Sequence, residues 1–386
     1  MATGIGALKA APQSVLLLIA QLVARFPFGM LSLAFIIHIQ DVTGSYAIAG
    51  IALGAETIGA SISGPILARY MAIFGIRRVI ATATGITTAS FLAIGFVPPE
   101  PLLLVFLSFL VGLSSPPIQP AARTIYPQIT PKPLLPQLYS LDAAAQEIIW
   151  VIGPLVATLV AAQFGNMAMI FTIASIQVFG SIWLLLNKSV ATAKIPLSKT
   201  AVGRVLKNPS VTAVTFLGLL FVGSFAGVEV GAVALFDKTI AGLMFAVFSV
   251  GSLLGGFLLA PRIKSRLALP WFAGLTLFGY TAILFDPQNP IWVGACLFVA
   301  GIGVAPTLGI LALWVAQGTS GSETAEAYGW TTTGQLVGCS AGSALAGISI
   351  EVVEPAAALL VSVVFGIAML LASIYAVRTL RPSVPA

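Results

Sequence analysis

The sequence predicts an all-α integral membrane protein of twelve spanning helices arranged as two six-helix bundles. Composition is the first observation: of 386 residues 58% are hydrophobic and 8% charged, where a soluble domain is about 25% charged. The second is the recurrence of apolar runs of about 20 residues, the length that crosses a bilayer. The third is that the basic residues fall in alternate loops. A net charge of +6 would point to nucleic acid only if it were gathered on a soluble face, and no nucleic-acid partner is expected.

The helices follow in order from their boundaries. The first, about 14 to 38, is an apolar run ending before Asp41, and the second, about 46 to 68, ends at Arg69. The third, about 79 to 97, lies between Arg77-Arg78 and Pro98-Pro99. The fourth, about 101 to 122, opens on Pro101 and stops at Arg123. The fifth, about 138 to 161, and the sixth, about 167 to 186, meet at Gly165-Asn166. The seventh, about 211 to 235, runs from Pro209 to Asp237, and the eighth, about 240 to 260, ends at Pro261. The ninth, about 269 to 285, stops at Asp286-Pro287, and the tenth, about 290 to 316, begins on Pro290. The eleventh, about 325 to 349, ends before Glu351, and the twelfth, about 355 to 377, ends at Arg378. The first run is longer than the apolar region of a signal peptide, so it is read as a retained helix.

Cytoplasmic loops carry an excess of Lys and Arg. With the N-terminus inside, Lys9, Arg69, Arg77, Arg78, Arg123, Lys132, Lys188, Lys194, Lys199, Arg204, Lys207, Arg262, Lys264, Arg266, Arg378 and Arg381 become cytoplasmic. The other two basic residues are Arg25, within a span, and Lys238, beside Asp237. The outer loops otherwise carry Asp41, Glu100, Asp286, Glu351 and Glu354. Both termini are therefore expected in the cytoplasm of a multi-pass plasma-membrane protein. The longest connection, NKSVATAKIPLSKTAVGRVLKNPS, divides the chain into residues 1–187, a linker 188–210, and 211–386. Asn187-Lys188-Ser189 fits the glycosylation pattern but falls on the cytoplasmic side and is set aside.

The halves echo each other. GASISGPILARYMAIFGIRR holds Gly59 and Gly64, GSLLGGFLLAPRIKSR holds Gly251 and Gly256, and both run into a short basic loop. Such echoes mark transporters built from repeats about an axis along the membrane normal. Gly50 and Gly54, Gly251 and Gly255, and Gly338 and Gly342 are small-residue pairs at helical spacing, read as static packing sites or as a rocking surface. Prolines are expected to interrupt the fourth helix (Pro116, Pro117, Pro120), the fifth (Pro154) and the tenth (Pro306), with the freed carbonyls satisfied inside the bundle. Cys296 and Cys339 lack any metal-ligand or disulfide spacing and read as packing residues.

The stretches RFPFGM (25–30), TGSYAIAG (43–50), GPILARYMAIFGIRR (64–78), LDAAAQEIIWVIGP (141–154), GSLLGG (251–256), GIGVAPTL (301–308) and TAEAYGW (324–330) resemble the major facilitator superfamily. The nearest likeness is to bacterial, actinobacterial-type drug/proton antiporter-like efflux members. The resemblance implies the twelve-helix major facilitator fold, and gating or hinge roles for Gly64, Arg69, Gly75, Arg77, Arg78, Asp142, Gly153, Pro154, Pro306 and Glu326. Two positions depart from it. Ala72 and Ile73 stand where the family carries an acid and a base ahead of Gly75, which implies that the charge latch of that loop is missing or replaced. The antiporter motif of the fifth helix is reduced to Gly153-Pro154, with Ile149 in place of a glycine.

Charges inside a membrane are costly and face partners, water or substrate. At 1.5 Å per residue Arg25 lies about 16 Å into its helix, Glu56 about 15 Å and Glu147 about 14 Å. All three reach the midplane, so Arg25 is expected to face one or both carboxylates. In one version the acids carry protons and the arginine or substrate displaces them; in another Arg25 binds an anion with its donor fork; in a third the charges form a permanent structural pair. Glu229, in the outer half of the seventh helix, reads as an outer gate, a second proton site or a wetted acid. Asp142 with Gln146 reads as a polar pair at the cytoplasmic end, Glu326 as a helix cap or a gate, and His38 as an interfacial tip. No metal site, cofactor, nucleotide loop or enzymatic constellation is present in the pattern.

These readings predict a monomeric secondary transporter whose partners are a small organic substrate, protons and the lipid bilayer, exporting the substrate by alternating access. Uptake, uniport or lipid flipping by the same fold are alternatives within transport. From another class, a non-transporting receptor or scaffold remains open.

Overall fold

The structure, a computed structural model, describes residues 11–195, 202–236, 238–259, 267–320 and 323–380, without the side chains of Tyr46, Ala47, Glu147, Val151, Lys238, Thr239 and Glu351. Lys9, Lys199, Asp237, Arg262, Lys264, Arg266 and Arg381, placed in loops above, lie outside the described residues. The described chain is helical. The spans are α1 (Pro12–Thr43), α2 (Tyr46–Phe74), α3 (Ile76–Phe96), α4 (Pro101–Ile129), α5 (Leu135–Phe164) and α6 (Asn166–Leu186). After a short helix Lys188–Thr192 come α7 (Pro209–Leu235), α8 (Lys238–Leu258), α9 (Ala268–Ile283), α10 (Pro290–Gly318), α11 (Thr324–Val352) and α12 (Ala357–Leu380). Ten are long and apolar enough to cross a membrane; α9 is a shorter apolar helix and α11 the most polar of the long ones.

The breaks in the helices follow from proline chemistry, with two differences from expectation. In α1 the segments Pro12–Arg25 and Phe28–Thr43 meet at Pro27. Pro27 has no N–H for the carbonyl of Val23, which accepts instead from Phe26 N–H at 3.2 Å, so the helix tightens just after Arg25. In α4 the break spans residues 114–117. The carbonyl of Gly112 accepts from Ser63 Oγ at 3.1 Å and that of Ser114 from Thr87 Oγ1 at 2.7 Å, so neighbours in the bundle supply the missing donors. In α10 the break falls at Gly303, and Thr276 Oγ1 donates to the carbonyl of Ala300 at 3.1 Å. Pro306 sits in the first turn beyond that break, where a proline costs no hydrogen bond. Pro154, by contrast, does not interrupt α5, which runs unbroken from Leu135 to Phe164.

The glycine echo marks equivalent contacts. Five residues apart on a helix are about 140° apart in direction, so each pair addresses two neighbours. A Cβ on Gly59 would meet the carbonyl of Phe109 in α4, and one on Gly251 that of Phe298 in α10; these glycines pack within their own set of six helices. Gly64 faces Gly329 of α11, and Gly256 faces Ala144 and Ser140 of α5; these pack across to the other set. Gly255, Gly338 and Gly342 likewise lie against helix backbone. Gly50 and Gly54 differ from expectation, since a Cβ on either would meet nothing within 4 Å.

The two sets of helices meet through α2 with α11 and through α5 with α8 and α10. Leu17, Ile125, Tyr126 and Tyr139 of the first set share one hydrophobic core with Val211, Leu311 and Tyr328 of the second. A separate core of Met30, Phe35, Phe91, Leu104 and Ile173 is confined to the first set, at the other end of the helices. The sets are thus fused at the end carrying Arg69, Arg77, Arg78 and Arg123, here termed the basic end. Gly255→Ala is expected to lower the thermal midpoint, as overpacking against backbone costs about 1–3 kcal/mol. Gly54→Ala, where the added methyl meets nothing, is expected to leave it unchanged or raise it, since alanine is the better helix former; differential scanning of the detergent-solubilised protein distinguishes the two.

Candidate functional site

At the basic end a buried polar network that spreads from one carboxylate ties five helices together. Asp142 of α5, fully buried, accepts from Arg123 Nε at 2.7 Å, from Gln21 Nε2 at 2.6 Å and from Tyr126 OH at 3.4 Å. Gln21 in turn accepts from Arg25 Nη1 at 3.3 Å. The spacing is what helices provide: Gln21 is one turn before Arg25 on α1, and Arg123 and Tyr126 are three apart on the inner segment of α4, so each pair shares a face. Arg123 also lies over the ring of Tyr328, 5.9 Å from its centre. The Tyr139 hydroxyl donates to the carbonyl of Arg123 at 3.0 Å, and the Tyr328 hydroxyl to that of Tyr139 at 3.0 Å, with the carbonyl of Ala312 2.8 Å away. The network therefore begins on α1 and ends on α10 and α11.

A second contact clasps the same end. Glu326, in the first turn of α11, pairs with Arg69 of α2 at 3.3 Å. Its other oxygen accepts from the backbone N–H of Gly203 at 2.7 Å and from Trp330 Nε1 at 3.4 Å. Gly203 has φ +82°, a conformation that favours glycine, and it brings the connection between α6 and α7 onto the clasp. Near it Thr333 Oγ1 donates to the carbonyl of Ser61 at 2.8 Å. Where the last turn of α2 offers Ala72 and Ile73, the cross-set ion pair is made by Arg69 one turn earlier. Gly75, at φ +87°, turns the chain directly into α3 and its Arg77 and Arg78, both exposed.

Several expected pairings are replaced by others. Arg25 meets Gln21 and has Asp142 and Arg123 as its charged neighbours, rather than Glu56. Glu56, half-buried, has Thr57 Oγ1 at 3.4 Å as its hydrogen-bond partner among the described residues; the Glu147 side chain is outside them. Asp142 does not pair with Gln146, which accepts from Gln119 Nε2 at 3.0 Å. Glu326 joins an ion pair instead of capping α11 alone, and Arg123 is 6% exposed in a span instead of lying in a loop. His38 is buried, its Nε2 3.2 Å from the carbonyl of Ile94, so it is no interfacial tip. Glu229 is exposed on α7, with Cys339 as its electrostatic neighbour. Gly153 packs against the backbone of Gly29 where α5 crosses α1. Among the described residues no group of His, Cys, Asp and Glu is placed to hold a metal.

Sequence reasoning missed Gln21, Tyr126, Tyr139, Tyr328 and Gly203. The four-residue step from Gln21 to Arg25 was a usable local signal; the others are joined by contacts between residues far apart in the chain.

The family model described as Major Facilitator Superfamily matches residues 17–236, more than half of the chain. The chain belongs to the Major Facilitator Superfamily. Among curated members it is similar to multidrug resistance protein MdtG of Klebsiella pneumoniae (strain 342), 26% identical over 192 residues, 48% of this chain and 46% of the relative. It is also similar to a multi-drug resistance efflux pump PmrA homolog of Lactococcus lactis subsp. lactis (strain IL1403), 26% identical over 140 residues, 36% and 34% of the two chains. The chain spans about half the length of the curated relatives it matches. Among solved structures, a bacterial homologue of the iron transporter ferroportin in an outward-facing state has TM-score 0.75 at 15% identity, covering 94% of this chain and 98% of that one. The proton:xylose symporter XylE bound to 6-bromo-6-deoxy-D-glucose has TM-score 0.75 at 11% identity, covering 95% and 96%. These share the superfamily's fold.

Removing the hub carboxylate of this superfamily member tests the network. Asp142→Asn strands Arg123 in the interior and is expected to cost about 3–5 kcal/mol, read as a lowered thermal midpoint in detergent. Tyr126→Phe, which loses only the longest of the three bonds, is expected to cost about 0.5–1.5 kcal/mol.

Proposed function

We propose that this protein is a secondary transporter that exports a small organic molecule by alternating access, in exchange for protons. The observation that carries the reading is the asymmetry of the seam between the two sets of helices. At the basic end the seam is closed by the ion pair of Arg69 with the buried Glu326, whose carboxylate also keeps the N–H donors of Gly203 and Trp330, and by a tyrosine pair whose hydroxyls can bond elsewhere. Toward the other end, Gly50 and Gly54 meet nothing. Taking the basic end as cytoplasmic, residues 1–187 and 211–386 are the two moving bundles, residues 188–210 the linker, both termini are cytoplasmic, and the state described is open outward. Names of relatives, MdtG and PmrA, support export of drug-like compounds. A protein built to rock in this way is read as a carrier rather than an enzyme, receptor or scaffold.

For proton exchange, Glu56 is the acid best suited on this reading. It sits in a span, is half-buried, and makes no ion pair among the described residues, so a proton or a cationic substrate has no resident arginine to displace. Glu147 and Glu229 are the supporting acids, and Gly64, Gly153 and Pro306 lie where the halves or broken segments turn against one another. A second reading is favoured by one observation. Arg25 and Arg123 share the single carboxylate of Asp142, which leaves the buried cluster one positive charge in excess, and an organic anion would balance it at Arg25.

Proteoliposomes loaded with a pH-sensitive dye test both. Compound-dependent proton movement is expected in the wild type and at least tenfold less in Glu56→Gln, with the thermal midpoint unchanged because no ion pair is lost. Substrate flux without proton movement in either protein would overturn the exchange mechanism; an anion whose binding is lost in Arg25→Ala but retained in Glu56→Gln would favour the second reading.

A further inference from the structure

Away from the seam, a cavity of about 520 Å³ opens between α2, α3 and α4 near the basic end. That volume is within the range of ligand sites, roughly 300–1,000 Å³. Tyr70 and Phe74 of α2 form one wall and Leu113 of α4 lines its floor. Thr82 and Ala83 of α3 are small where larger side chains would have closed the gap. Tyr70 is six residues beyond Gly64 and therefore about 120° around α2 from it, so the groove faces away from α11 and the seam. Its wall is open to the surroundings, Tyr70 being 42% and Phe74 54% exposed. In a span, those surroundings are lipid.

The end of the groove is built for an anion. Arg78 lines it, and Arg77 precedes it in the chain, about 100° around the helix, both exposed. Neither is joined to a carboxylate among the described residues. Both lie in the first turn of α3, which has no acidic residue and no side-chain cap, so two cations are added to the positive end of a helix whose first N–H groups lack partners. Without an anion this is an unfavourable arrangement. The hydroxyl of Ser114, another polar lining group, is already engaged with Thr87 and the carbonyl of Leu110.

We propose that this groove is a binding site for an anionic phospholipid of the leaflet at the basic end, its phosphate on Arg77 and Arg78 and one acyl chain lying between α2 and α3. A soluble anion would have no use for the apolar groove, and an uncharged lipid none for the paired arginines. Basic pockets between spans on the cytoplasmic side are where such headgroups are held.

Delipidated protein supplied with phosphatidylglycerol or phosphatidylcholine of identical chains, followed by native mass spectrometry, tests this. One phosphatidylglycerol should be retained with about a 30-fold preference, the factor carried by two interfacial arginines. The preference should vanish in the double variant Arg77→Ala/Arg78→Ala, and retention itself should be lost in Thr82→Phe, which fills the groove. All three positions are exposed, so unchanged thermal midpoints are expected to certify the fold. Equal retention of the two lipids by the wild type, unchanged retention in Thr82→Phe, or full competition by glycerol phosphate alone would overturn the proposal.

Discussion

Everything at the closed end of this molecule depends on how one buried carboxylate is satisfied. Asp142 has three donors, and each comes from a different requirement: Arg123 neutralises it, Gln21 relays it toward Arg25, and Tyr126 fills the remaining lone pair. A buried ion pair is weak evidence of stability in itself, because desolvation cancels much of the attraction. Its force here lies in geometry. Arg123 can reach Asp142 only if the inner segment of α4 continues past its break, and at that break Ser63 supplies Gly112 with the donor that Pro116 cannot, while Thr87 serves the carbonyl of Ser114. The carbonyl of Arg123 then fixes Tyr139, and Tyr139 meets Tyr328. Charge, helix break and contact between the sets are one construction.

The seam has a different character from the interior of each set. Within a set, glycines let backbones touch; Gly251 and Gly255 against α10 and Gly338 and Gly342 against α7 are contacts that a single methyl would disrupt. Across the seam, glycine contacts such as Gly64 with Gly329 and a shared hydrophobic core are joined by polar contacts at the basic end, the Arg69–Glu326 pair and the tyrosine hydroxyls. The broken helices α1, α4 and α10 all place their breaks beside this seam or its network, so irregular backbone is found where the protein, and not lipid, can satisfy it.

How much of this was legible in the sequence depended on whether the information was local. Spans, loop charges and the Gly59/Gly64 and Gly251/Gly256 echo are local patterns, and the echo located equivalent contacts on both sides of the seam. The depth of Arg25 was also readable, since it needs only the helical rise. Its partner was not: matching depths made Glu56 and Glu147 natural candidates, but depth says nothing about rotation around the helix axis, and Arg25 meets Gln21. Arg123 looked like a loop residue because it is the charge at which the apolar run ends, whereas the helix resumes at Ile118, runs on to Ile129 and buries it. Glu326 offered two readings from its place at a helix start, and only the fold brings Arg69, 257 residues away in sequence, within reach.

The tyrosine contact has a consequence for symmetry. Ser140 faces Gly256 as Gly329 faces Gly64, and the residues just before them, Tyr139 and Tyr328, touch hydroxyl to hydroxyl. They thus stand on the axis that exchanges the two sets. In a two-fold dimer of identical subunits, the residue on the axis must meet its own copy, and whatever fills that place has to be self-complementary. A phenol satisfies this, since one hydroxyl can donate while the other accepts. The surrounding positions differ, serine against glycine and Asp142 against Thr331, while the two tyrosines keep the self-complementary pairing that such a place requires.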